Sequence, residues 1–81
     1  MTEQEILSAL TRILRDLLAD DAIVLRMDTT RAEVPGWDSF VYVTFIAAVE
    51  MQLGIRFRVA DVEAFASVGD MVAEAKRLLT R

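Results

Sequence analysis

The chain has 81 residues, 54% of them hydrophobic, and a formal net charge of −4. That is enough apolar material for one self-supporting domain, 1–81, and too much for a disordered chain, while the acidic balance argues against a basic patch for nucleic acid or an anionic membrane surface. With neither cysteine nor histidine, disulfides, a thiol nucleophile, the common zinc ligand sets and the usual neutral-pH general base are all missing, so a non-enzymatic protein with no metal is expected.

The segment Met1-Thr2-Glu3-Gln4-Glu5 is acidic where a secretory leader is basic, and the longest near-continuous apolar run stops at Glu50. No leader and no membrane span are expected, and the protein reads as cytoplasmic. Thr2 and Glu5 have the spacing of a capping box, after which Ile6, Leu7, Leu10, Ile13, Leu14, Leu17 and Leu18 recur at helical intervals. The helix they predict gives way near Asp20-Asp21, where two carboxylates oppose the negative pole of a helix C-terminus.

Periodicity is lost over residues 22–37, and Asp28, Thr29, Thr30, Pro35 and Gly36 indicate a long ordered loop pinned by Ile23, Val24, Leu25 and Val34. Pro35 and Gly36 then stop the loop ahead of Trp37, Asp38, Ser39 and Phe40. Asp38 can accept a hydrogen bond from the free N–H groups of a new helix, which puts Ser39 in its first turn, where orphan donors and a partial positive charge favour an anion. On spacing alone, Ser39 is better explained as a serine used for local hydrogen bonding at a helix start.

Residues 40–59 admit two frames. Val41, Tyr42, Val43, Thr44, Phe45 and Ile46 favour strands and Ile55, Arg56, Phe57, Arg58 and Val59 alternate, as in a hairpin turning near Gly54. Phe40, Val43, Ile46, Ala47, Glu50 and Leu53 also follow a helical frame, with a start at Asp38 and a stop at Gly54. Beyond the turn, Ile55 and Phe57 are expected to enter the core from a loop while Arg56 and Arg58 meet water, and a short helix is expected over residues 61–65. A last helix starts at the capping box of Ser67 and Asp70, buries Val68, Met71, Val72, Ala75, Leu78 and Leu79, and gathers Lys76, Arg77 and Arg81 at its C-terminal pole.

The triplet Asp38-Ser39-Phe40 ahead of a long apolar helix, with Gly36-Trp37 before it and Leu53-Gly54-Ile55 and Ser67-Val68-Gly69-Asp70 after it, resembles the acyl carrier and peptidyl carrier proteins over nearly the whole chain. The resemblance implies an all-α fold, a small four-helix bundle of three longer helices and one short one with a long loop between the first two, and it selects the helix over the hairpin for residues 39–53. It also implies a phosphopantetheine arm, taken from coenzyme A by a phosphopantetheinyl transferase and attached to Ser39. The arm's thiol would hold an acyl or aminoacyl group as a thioester, loaded and consumed by partner biosynthetic enzymes, with the carrier a monomer flanked at the site by Asp38.

In one respect the chain departs from that family. Carriers of the fatty-acid type display several acids along the helix after the serine, whereas here Val41, Tyr42 and Thr44 follow and Glu50 is the one acid of the segment. This similarity is therefore greater to carriers of specialised pathways, such as polyketide, nonribosomal peptide or discrete small-acyl systems. Candidate docking residues are Trp37, Phe40, Val41, Thr44, Glu50 and Met51, with Val41 and Thr44 expected to face solvent because they lie off the stripe set by Phe40, Val43 and Ala47. Plainer explanations stand beside them: Trp37 as a loop anchor, Met51 as filler or incidental surface, and Glu50, Asp61 and Glu63 as a solvated face. A function from another class, a small helical interaction module with no prosthetic group, fits the residues without the resemblance.

Overall fold

A computed structural model describes residues 1–80, and among them the secondary structure is helical throughout: α1 (Glu3–Leu18), α2 (Ser39–Leu53), α3 (Val59–Ala64) and α4 (Val68–Leu79). Arg81, expected at the pole of the last helix, lies outside the described residues. At the start of α1 the capping box closes, the Glu5 N–H donating to Thr2 Oγ1 at 3.1 Å and the Thr2 N–H to Glu5 Oε1 at 2.8 Å. Ile6, Ala9, Leu10, Ile13 and Leu14 form its buried face. Leu17, expected in that stripe, is 38% exposed, while Leu18 beside it is half-buried against the core.

The loop that follows crosses the bundle and is tied at both ends. Arg15 Nε donates to the Ile23 carbonyl at 2.6 Å and Leu25 is buried, while Ile23 and Val34 are half-buried against the core. Val24 does not pin the loop as expected, since in this extended segment it alternates away from Leu25 into solvent. A 3-10 turn at Arg31–Glu33, capped by Thr30 and Glu33, was not signalled by periodicity. The carbonyls of Met27 and Thr29 accept the N–H groups of Gly69 and Val68 at 2.7 and 2.8 Å, so the loop satisfies donors that the first turn of α4 leaves free. A Cβ on Gly69 would lie 2.6 Å from the Met27 carbonyl oxygen, and only glycine permits that approach.

Residues 39–53 form a helix despite their strand-favouring side chains, because both ends are specified: Asp38 caps the start and Gly54 (φ 69°) stops it in the left-handed region. The buried edge differs from the expected one. Tyr42, Phe45, Ile46 and Val49 are buried, whereas Phe40, Val43 and Ala47 are exposed. A helix apolar on all sides has no internal signal for which edge turns inward, and the choice is made by α1 and the neighbouring segments that pack on it.

Past Gly54, Phe57 enters the core and meets Phe65 edge to face at 5.4 Å, with Arg56 and Arg58 in solvent. The short helix α3 begins two residues before the expected segment, starting directly after Arg58. Ser67 and Asp70 close the second capping box and α4 buries Val68, Met71, Val72 and Ala75 against α1, with Leu78 and Leu79 half-buried. No helix of the described residues is long and apolar enough to cross a membrane.

Ile46 is 7% exposed inside this arrangement. Ile46→Ala removes three carbons from a packed edge and is expected to lower unfolding free energy by about 2–5 kcal/mol, read from the denaturation midpoint by circular dichroism.

Candidate functional site

The start of α2 determines what this end of the bundle can do. Asp38 is extended and its Oδ1 accepts the Val41 N–H at 2.9 Å, while its carbonyl accepts the Tyr42 N–H at 2.8 Å. Two of the first-turn donors are thereby satisfied. The N–H groups of Ser39 and Phe40 meet no acceptor among the described residues, and both residues are exposed, so these donors face solvent beside the Ser39 hydroxyl. The Asp38 carboxylate is the acid at this pole, and no further acid follows it in the first turn of α2.

All but one of the other hydroxyls are committed elsewhere. Thr2, Thr29 and Ser67 accept backbone N–H groups, Thr30 bonds Glu33, Thr11, Thr44 and Thr80 donate to carbonyls one turn back, and the Tyr42 hydroxyl donates to the Val62 carbonyl. Ser8 is exposed and makes no hydrogen bond among the described residues, but it sits in the second turn of α1, not at a helix N-terminus. Ser39 is thus the hydroxyl among the described residues that combines exposure, freedom and a helix N-terminus.

Trp37 immediately precedes the site and is 4% exposed. As a docking residue it is corrected: its ring lies 5.1 Å from Phe45 and 6.4 Å from Tyr42, filling the end of the core where the loop enters α2. Its Nε1 has no acceptor among the described residues and the indole borders a small cavity of about 210 Å³. Tyr42 is held between Arg31, whose guanidinium carbon sits 4.3 Å from the ring centroid, and the Val62 carbonyl at 2.6 Å. Burial pushes its phenol above the ordinary range, partly offset by Arg31, and so keeps it a neutral donor.

The remaining docking candidates separate by position. Val41, expected in solvent, is half-buried against the core, on the edge next to Tyr42 and Phe45. Glu50 is half-buried too, because its Oε2 accepts the Phe57 N–H at 2.7 Å; it fixes the segment after α2 rather than standing free as a recognition charge. Phe40 (79% exposed), Thr44 and Met51 (85%) do reach the surface. They share one face with Val43 (67%), and Val43 stands across a groove of about 680 Å³ from Val59 (75%), Arg56 and Arg58. Only the alternation of residues 55–59, which turns both arginines outward, hinted at that second wall.

The difference between Val41 and Val43 is measurable. Val41→Asp puts a charge at a half-buried position and is expected to cost about 1–3 kcal/mol, whereas Val43→Asp is expected to leave stability within about 0.5 kcal/mol, in parallel urea titrations.

A family model described as the phosphopantetheine attachment site matches residues 8–75. Among solved structures, the chain is similar to the solution NMR structure of a holo acyl carrier protein from Geobacter metallireducens, with 32% identity, a TM-score of 0.86, and coverage of 94% of this chain and 87% of that one. No curated sequence matches it. Together these select the carrier over an interaction module without a prosthetic group, and the chain belongs to the phosphopantetheine-attachment family as an acyl carrier, a non-catalytic protein that holds acyl groups on a covalent phosphopantetheine arm.

Proposed function

We propose that Ser39 is the attachment residue and that the chain is a single-domain, monomeric carrier presenting an acyl or aminoacyl thioester to the enzymes of a specialised pathway. The observation that carries this reading is the free, exposed hydroxyl of Ser39 beside the open N–H groups of Ser39 and Phe40. A phosphodiester on Ser39 would meet those donors at a positive helix pole, so the residues present fit the group. When bound, the arm supplies a terminal thiol at which a thioester is made and broken by partner enzymes.

This chain's own contribution is positional. Asp38 keeps the helix start ordered, and the hydroxyl stays clear of the core, open to a phosphopantetheinyl transferase bringing coenzyme A. Loading and consuming enzymes would next meet Phe40, Val43, Thr44 and Met51. Docking on that face gains mainly from desolvated apolar area, at about 25 cal/mol per Å². The scarcity of acids along α2 supports a specialised pathway over fatty-acid synthesis, and the acidic, cysteine-free composition suits the cytoplasm.

Incubation with coenzyme A and a broad-specificity transferase, followed by intact-protein mass spectrometry, should add one phosphopantetheine to the wild type and none to Ser39→Ala. The variant should keep its helical circular dichroism and lose little stability, since even complete loss of an N-cap costs about 1 kcal/mol. Modification of Ser39→Ala at any residue would remove the assignment.

A further inference from the structure

The groove between α2 and the segment leading into α3 combines two properties that specify what covers it. Its floor is apolar, formed by Ile46, Phe57 and Val62, and Val43 and Val59 stand exposed on either side. Its charged lining is Arg56, Arg58 and Glu50. These charges are not equally available: Glu50 already accepts the Phe57 N–H at 2.7 Å, whereas Arg56 makes no hydrogen bond or ion pair with the described residues. Arg58 touches Asp61 through Nε alone, at 3.4 Å, and its side chain is 82% exposed, so the terminal nitrogens of its guanidinium remain open. The exposed and uncommitted charge at this mouth is positive, on a chain whose net charge is −4.

We propose that this groove docks a loading enzyme whose contact surface is an apolar ridge bordered by carboxylates, rather than the basic surface that an acidic carrier helix would attract. The proposal rests on the carrier reading, and it names the partner of that site. An apolar ridge would desolvate Val43 and Val59, and flanking carboxylates would pair with Arg56 and Arg58 in bidentate geometry. A basic ridge would instead place like charges together across a partly desolvated contact, with Asp61 half-buried and Glu50 engaged inside this protein. Arg56 and Arg58 act here as specificity determinants, setting the sign of the partner.

The test uses holo protein made with a broad-specificity transferase and two carrier-dependent acyl-loading enzymes of known docking surface, one apolar with carboxylates and one basic. Holo formation is confirmed by mass first, and its failure would overturn the carrier reading and this proposal with it. The expected result is a kcat/KM for loading at least about tenfold higher with the carboxylate-bordered enzyme. Arg56→Glu/Arg58→Glu should cut that value by about tenfold and raise it with the basic enzyme, while Arg12→Glu on α1 changes neither. Circular dichroism of the double variant establishes that it is folded, and Arg56→Lys/Arg58→Lys should retain at least part of the rate. A preference for the basic enzyme, or equal loading of wild type and the double variant by both, would overturn the proposal. So would sedimentation showing that the holo protein is a dimer dissociated by Val43→Asp, because the groove would then be covered by a second copy.

Discussion

The architecture depends on which edge of α2 is buried. The segment Ser39–Leu53 is apolar around its whole circumference, and a residue's neighbour lies about 100° further round the helix. Once Tyr42, Phe45, Ile46 and Val49 pack inward, Phe40, Val43, Thr44, Ala47 and Met51 are forced outward, and Ser39 is left at the tip with its hydroxyl in solvent. A rotation by one residue would put Val43, Ala47 and Glu50 in the places of Tyr42, Ile46 and Val49, and would break the bond from the Tyr42 hydroxyl to the Val62 carbonyl. The polar contacts of α2 therefore select among edges that hydrophobicity alone leaves nearly equivalent.

Two such contacts tie α2 to the chain beyond it. The Tyr42 hydroxyl reaches Val62 in the middle of α3, and Glu50 reaches the Phe57 N–H just before it. A neutral hydrogen bond of this kind contributes about 1 kcal/mol and one to a charged group about 1.5–3 kcal/mol. That is appreciable for a helix as short as Val59–Ala64, which has no side-chain cap of its own. The bonds also leave the carrier's exposed face apolar: the one carboxylate of α2 is spent on holding the backbone, and what remains beside Ser39 is Phe40, Val43 and Met51.

Much of this was legible in the sequence, and the parts that were not share a cause. Capping residues act locally, so Thr2 with Glu5, Asp38, Gly54, and Ser67 with Asp70 each marked a helix end that the structure contains. Amphipathic α1 and α4 declared their buried faces. The face of α2 could not be read, since no polar stripe breaks its periodicity, and Val41, Val43 and Ala47 were accordingly assigned to the wrong sides. Glu50 was misplaced, and Trp37 was left between anchor and docking surface, for a different reason. Their surroundings are built from residues distant in sequence, Phe45 and Tyr42 for the indole and Phe57 for the carboxylate, and no local pattern records such contacts. The pairing of the loop with Gly69 was hidden in the same way.

The central claim is that the arm is borne by a hydroxyl kept free at the head of α2. Phosphorus–proton correlation NMR on the holo protein tests it through the bonds themselves, because the phosphodiester phosphorus couples to the β protons of the residue that bears it. The account predicts a correlation to the β protons of Ser39, with the amide shifts of Ser39 and Phe40 moved and those of Phe45 and Val49 unchanged. A correlation to the β protons of Ser8, Ser67 or any threonine would contradict it.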